Sequence, residues 1–130
     1  MAMKAIMVAL VLTLGAGCSS SDPPAPEKKA ETTPKLRKAV EAYTAAFLGG
    51  DAEAAYSLLT ERCHGETAAA DFKRIVDQAH AEYGNESILS YADKVDGQVA
   101  TVTYELTDPY LNQDNERWLL EDGTWHNDEC

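Results

Sequence analysis

Near Gly84-Asn85 the spacing of apolar residues changes from about 3.6 to 2, and the chain does not return to the first period. Upstream, Leu36, Val40, Tyr43 and Phe47 recur at helical spacing, with Ala39 and Ala46 beside them. Downstream, Ala100, Val102, Tyr104 and Leu106 alternate with Val99, Thr101, Thr103 and Glu105. Helices followed by an unbroken run of strands admit no βαβ crossover. The strands must pair as an antiparallel meander with the helices gathered on one face, an α+β domain.

The punctuation divides each half. Thr33-Pro34 opens the first helix, since threonine caps and proline suits the first helical position. Gly49-Gly50 stops it, and Asp51 caps a second helix with Ala55, Leu58 and Leu59 on one face. Cys63-His64-Gly65 reads as a turn, and Thr67 caps a third helix whose stripe is Phe72, Ile75, Val76, Ala79 and Tyr83. Strands are expected over 87–95, 98–107, 116–121 and 124–128, with hairpin turns at Asp96-Gly97 and Asp122-Gly123 and a break at Asp108-Pro109.

The N-terminus has another logic. Lys4 precedes the apolar stretch from Ala5, small residues follow, and Cys18 comes next. That order is the n-region, h-region and cleavage site of a signal peptide over 1–17, and the apolar run is short for the ~20 residues of a membrane span. Leu14-Gly15-Ala16-Gly17-Cys18 resembles the lipobox of bacterial lipoproteins, with Gly15 where that family prefers leucine. The resemblance implies lipidation of Cys18 and a place in the bacterial cell envelope, anchored to the extracytoplasmic side of the membrane. Residues 18–34, with Pro23, Pro24, Pro26 and few large apolar residues, read as a flexible linker, and residues 35–130 as the folded domain.

A net charge of −11 gives no electrostatic footprint for nucleic acid, nor attraction to an anionic membrane. The lipid on Cys18 is therefore the expected membrane tether. Of the three cysteines, Cys63 and Cys130 remain. An exporting signal places them where disulfides form, so a bridge is the expected pairing, with two thiols or a metal pair as alternatives.

Two stretches carry a further resemblance. Ala42-Tyr-Thr-Ala-Ala-Phe-Leu-Gly-Gly-Asp51 with Ala54-Ala-Tyr-Ser-Leu-Leu59 resembles the opening of the nuclear-transport-factor-two-like superfamily. Arg117-Trp-Leu-Leu-Glu-Asp-Gly-Thr-Trp125 resembles its final hairpin. The likeness spans roughly 35–130 and is nearest to small lipid-anchored actinobacterial members, some of which pair cysteines at the corresponding places. It implies a curved sheet wrapped around helices as a cone with an apolar pocket. Some members are isomerases, dehydratases or hydrolases and many only bind, so the fold leaves the activity open.

No motif supplies a reaction. His64, His80 and His126 with Cys63 and Cys130 lack zinc-site spacing, so neither a metal nor another cofactor is expected. Cys63 beside His64 would be a nucleophile only if unbridged. The acids Glu41, Asp51, Asp93, Asp96 and Asp108 fall at helix surfaces or turns, and Glu105 lies on the strand face opposite Tyr104. No catalytic residue is assigned. Tyr43, Phe47, Tyr104 and Trp118 are turned toward the helix–sheet interface and are the expected lining of any pocket. The expected function is a lipid-anchored binding or interaction module without catalysis, its partner an apolar ligand or an envelope protein. The alternative is a small cone-fold enzyme acting on an apolar substrate, and a buried carboxylate inside a pocket would favour it.

Overall fold

The computed structural model describes the backbone from Ala25 and the side chains from Thr33 to Cys130. The signal peptide and Cys18 lie outside the described residues. Four helices, α1 (Ala25–Leu48), α2 (Ala52–Ser57), α3 (Glu61–Glu66) and α4 (Ala69–Tyr83), precede four strands. These are β1 (Ile88–Asp96), β2 (Val99–Leu106), β3 (Gln113–Glu121) and β4 (Thr124–Asn127), an antiparallel sheet in sequence order. The architecture is α+β, a meander with its helices on one side. No helix among the described residues is long and apolar enough to cross a membrane.

α1 begins nine residues before Pro34, so Thr33-Pro34 lies inside the helix instead of opening it. The segment Glu27 to Glu31 is made of glutamate, lysine and alanine, which favour helix strongly enough to carry Pro34 inside it at the loss of one backbone hydrogen bond. α1 ends where Gly50 turns left-handed at φ 81°. A side chain there would also meet the His80 ring at 3.0 Å. Asp51 caps α2 by accepting from the Ala54 N–H at 3.1 Å.

Three local expectations are corrected. Cys63-His64-Gly65 lies in the short helix α3, which Thr60 caps by accepting from the Cys63 N–H. Thr67 ends that helix instead of starting the next, whose first position follows Ala68 without a side-chain cap. Ile75 is 51% exposed, because α4 buries only the narrow line of Phe72 and Val76 against α2 and α3.

Two clusters form the interior. Leu36, Val40 and Leu48 of α1 meet Ala100, Val102, Tyr104 and Leu106 of β2, with Trp118 and Trp125. A smaller cluster joins Ala55, Leu59, Cys63, Phe72 and Val76. Tyr43 and Phe47 pack against both. The β1–β2 and β3–β4 hairpins have two-residue loops; the first is Gly97-Gln98, one residue later than the expected Asp96-Gly97, and at Asp122-Gly123 both residues have positive φ, the conformation for which that dipeptide is favoured.

The chain end is fastened three ways. Cys63 and Cys130 form a disulfide. Asn127 bridges Leu59 in parallel, the Asn127 N–H donating to the Leu58 carbonyl at 2.7 Å and the Thr60 N–H to the Asn127 carbonyl at 3.0 Å. The buried Asp128 carboxylate accepts from the Thr60 hydroxyl at 2.7 Å and lies 3.1 Å from both Arg62 Nε and Arg117 Nε.

Candidate functional site

β3 does not run evenly against β2. Val102 faces Glu116 and Tyr104 faces Gln113, so three residues of β3 span what two span on β2. The extra residue is a β-bulge, and Asn115 adopts φ 55° within it. The Thr103 hydroxyl holds it by accepting from the Asn115 N–H at 3.1 Å. Residues three apart on a regular strand face opposite ways. The bulge turns Gln113 and Glu116 toward the same side.

That side faces α1 and encloses a cavity of about 200 Å³. Tyr43, Phe47, Leu48, Tyr104, Leu106 and Leu111 supply its apolar wall. Thr44, Gln113, Glu116, Asn127 and Glu129 supply its polar groups. Of the four expected lining residues, Tyr43, Phe47 and Tyr104 line it. Trp118 does not: it is fully buried behind the wall, its ring edge-on to Tyr43 at 5.8 Å.

Glu116 is 6% exposed. The Tyr104 hydroxyl reaches its two carboxylate oxygens at 3.2 and 3.1 Å, and Trp118 Nε1 donates to Oε1 at 2.7 Å. Burial outweighs these donors and pushes the carboxyl from 4.5 up to about 7. The same burial holds the Tyr43 and Tyr104 hydroxyls protonated well above the ordinary phenol range. Two further polar groups lie on the wall, Thr44 Oγ1 at 6% and Asn127 Nδ2 at 1% residue exposure. Neither has a hydrogen-bond partner of good geometry among the described residues. Buried polar groups are ordinarily paired, so such groups on a cavity wall mark where a ligand or water bonds.

The expectation that no acid faces the interior is therefore corrected. The signal was parity: Glu116 stands two residues before Trp118 on one strand and shares its face. The other chemistry-bearing residues do not assemble. The rings of His64, His80 and His126 engage the carbonyls of Tyr56, Leu48 and Thr124, and no three His, Cys, Asp or Glu side chains converge among the described residues. Cys63 is no free nucleophile, being in the disulfide. Glu105 lies on the outer face, bonded by Ser90. No family profile, curated protein or solved structure matches this chain.

The Glu116 carboxyl makes stability depend on pH. Between about pH 4.5 and 7 the folded chain keeps a proton that the unfolded chain has released. Stability from this group is complete below that window and is lost as pH rises through it. A shift of this size is worth on the order of 3 kcal/mol. Chemical denaturation of wild type and Glu116→Gln at pH 5 and pH 8 measures it. The difference between the two proteins should change by that amount, wild type losing ground at pH 8. A pH-independent difference refutes the assignment.

Proposed function

We propose that residues 35–130 form a binding module whose cavity takes a small ligand with an apolar body and a polar end. The observation that carries this reading is the carboxylate of Glu116 at the wall of a largely aromatic and aliphatic cavity, beside the unpartnered Thr44 and Asn127. It modifies the expectation of a wholly apolar ligand, because an apolar occupant would leave those polar groups buried and unpaired. The nuclear-transport-factor-two-like cone and the lipid anchor on Cys18 belong to this proposal. The first is supported by the helix–meander order, the second by the lipobox-like Leu14 to Cys18. On this reading the module works at the extracytoplasmic face of the bacterial envelope.

An acid–base enzyme is the second reading, and one observation favours it specifically: a buried carboxylate inside the cavity that titrates near neutrality. Binding comes first because it is required by both readings. Backbone amide shifts of the purified full chain, followed against short-chain fragments with and without polar ends, test the proposal. Shifts should concentrate at Tyr43, Thr44, Leu106 and Glu116 and be weakened in Leu111→Trp, which adds bulk to the cavity wall. Absence of any response at these positions refutes the binding site. Turnover of an isomerase or hydrolase substrate that Glu116→Gln abolishes would establish the enzyme instead.

A further inference from the structure

We propose that the polar end of the ligand is an ammonium group, so that the cavity selects short, singly charged amines over alcohols and carboxylates of the same length. This rests on the pocket reading above and specifies the chemistry of its occupant.

The charge set of the wall points there. Glu116 and Glu129 line the cavity, and no lysine, arginine or histidine does. The neighbouring Arg117 is directed elsewhere, its Nε lying 3.1 Å from Asp128 Oδ2. An anionic ligand would add a third negative charge with no cation on the wall to meet it. An ammonium instead supplies the positive charge that the buried carboxylate lacks among its contacts. Charge-assisted hydrogen bonds are roughly twice as strong as neutral ones, and removal from water strengthens the attraction.

The hydrogen-bond inventory agrees. An ionised carboxylate offers about four lone-pair sites and donates nothing. Two donors reach Glu116, the Tyr104 hydroxyl with its one proton shared between Oε1 and Oε2 and the Trp118 Nε1–H, so lone-pair capacity for a further donor remains. The buried Thr44 hydroxyl lies beside the Tyr104 hydroxyl without a hydrogen bond of good geometry; it accepts as well as donates, so it offers a second acceptor for the same ammonium. Asn127 Nδ2 makes no hydrogen bond of good geometry, but as a side-chain donor toward Glu116 it favours the ionised carboxylate. A cation over the face of the Tyr43, Phe47 or Tyr104 ring would be attracted by it. A single buried carboxylate falls short of the six or more oxygens that a calcium ion takes. At about 200 Å³ the space is below the ~300 Å³ at which drug-sized sites begin, so the amine must be short.

The titratable groups facing Glu116 are Tyr43 from α1, Tyr104 from β2 and Glu129 from the segment after β4. Burial keeps both phenols protonated through the neutral range, so Glu116 governs the response; Glu129 is exposed to solvent. A proton on Glu116 competes with the ammonium, so affinity for an amine falls as pH drops below about 7.

The experiment compares pentylamine, 1-pentanol and pentanoate on the purified full chain by amide-shift titration. At pH 8.5 pentylamine should bind at least about tenfold more tightly than 1-pentanol, with pentanoate weakest. Between pH 6.5 and 5 its affinity should fall toward about tenfold per unit while that of 1-pentanol stays flat. Glu116→Gln should erase the preference. If that variant does not fold, the pH dependence of the amine-to-alcohol ratio in wild type reads the same group. Cavity shifts with 1-pentanol or pentanoate at equal or higher affinity overturn the amine inference and leave the pocket standing. No cavity response to any of the three probes overturns both.

Discussion

Replacing Cys63 and Cys130 together by serine is expected to lower the unfolding free energy by about 4 kcal/mol. The two residues are 67 apart in sequence, and the bond between them encloses α4 and the whole sheet. Chain-entropy bookkeeping gives the quoted magnitude for a loop of that length. The midpoint of thermal unfolding should fall by roughly 15–30 °C for a domain of this size. Urea unfolding of wild type with and without reductant provides the same comparison without a mutation. The Asp128 network and the Asn127 bridge to Leu59 hold the terminus independently of sulfur. A loss below about 1 kcal/mol would show that these contacts, or a compact denatured chain, carry the constraint instead.

Trp118→Ala should be of similar size, about 3–5 kcal/mol, because it empties a fully buried indole site in the main cluster. It also removes the Nε1 donor that Glu116 holds at 2.7 Å. Trp118→Phe separates the two effects. It keeps much of the ring volume against Tyr43 and deletes the donor, so it should cost less than the alanine and raise the Glu116 carboxyl above its present value near 7. Carboxyl-carbon NMR titration reads that shift directly. An unchanged Glu116 titration in Trp118→Phe would show that the indole bond contributes nothing to ionisation.

The parts of this molecule that could be read from sequence are those where one local rule acts alone. The alternation of β2 placed Ala100, Val102, Tyr104 and Leu106 inward, as they are. Asp122-Gly123 and Asp51 are likewise single-residue chemistry with one outcome. The site was hidden where two rules collide. Gln113 and Glu116 are three apart, and only a bulge at Asn115 makes them neighbours on one face. Starting the strand at Glu116 made that acid look like a strand end, although its parity with Trp118 assigns it inward. Leu89 shows the same effect in reverse: an irregular register between Ile88 and Ser90 leaves it 67% exposed in a sequence that looks apolar. α3 was missed because six residues containing Gly65 carry too little period to distinguish a helix from a turn. Ile75 fell outside because how wide a stripe α4 must bury is set by its neighbours.

The bond between Cys63 and Cys130 also limits how far the chain can be drawn out by force. Pulled between Ala25 and Cys130, a fully unravelled chain without that bond would extend roughly 350 Å at about 3.4 Å per residue. With it, tension passes from Cys63 straight to Cys130, and the sheet, α4 and the cavity residues of β2 and β3 sit in a loop that bears no load. Only the stretch from Ala25 to Cys63 can lengthen, to roughly 130 Å. α1, which carries Tyr43, Thr44 and Phe47, would then be the first wall of the cavity to peel away, and a pulling trace should show one short extension in place of a long one.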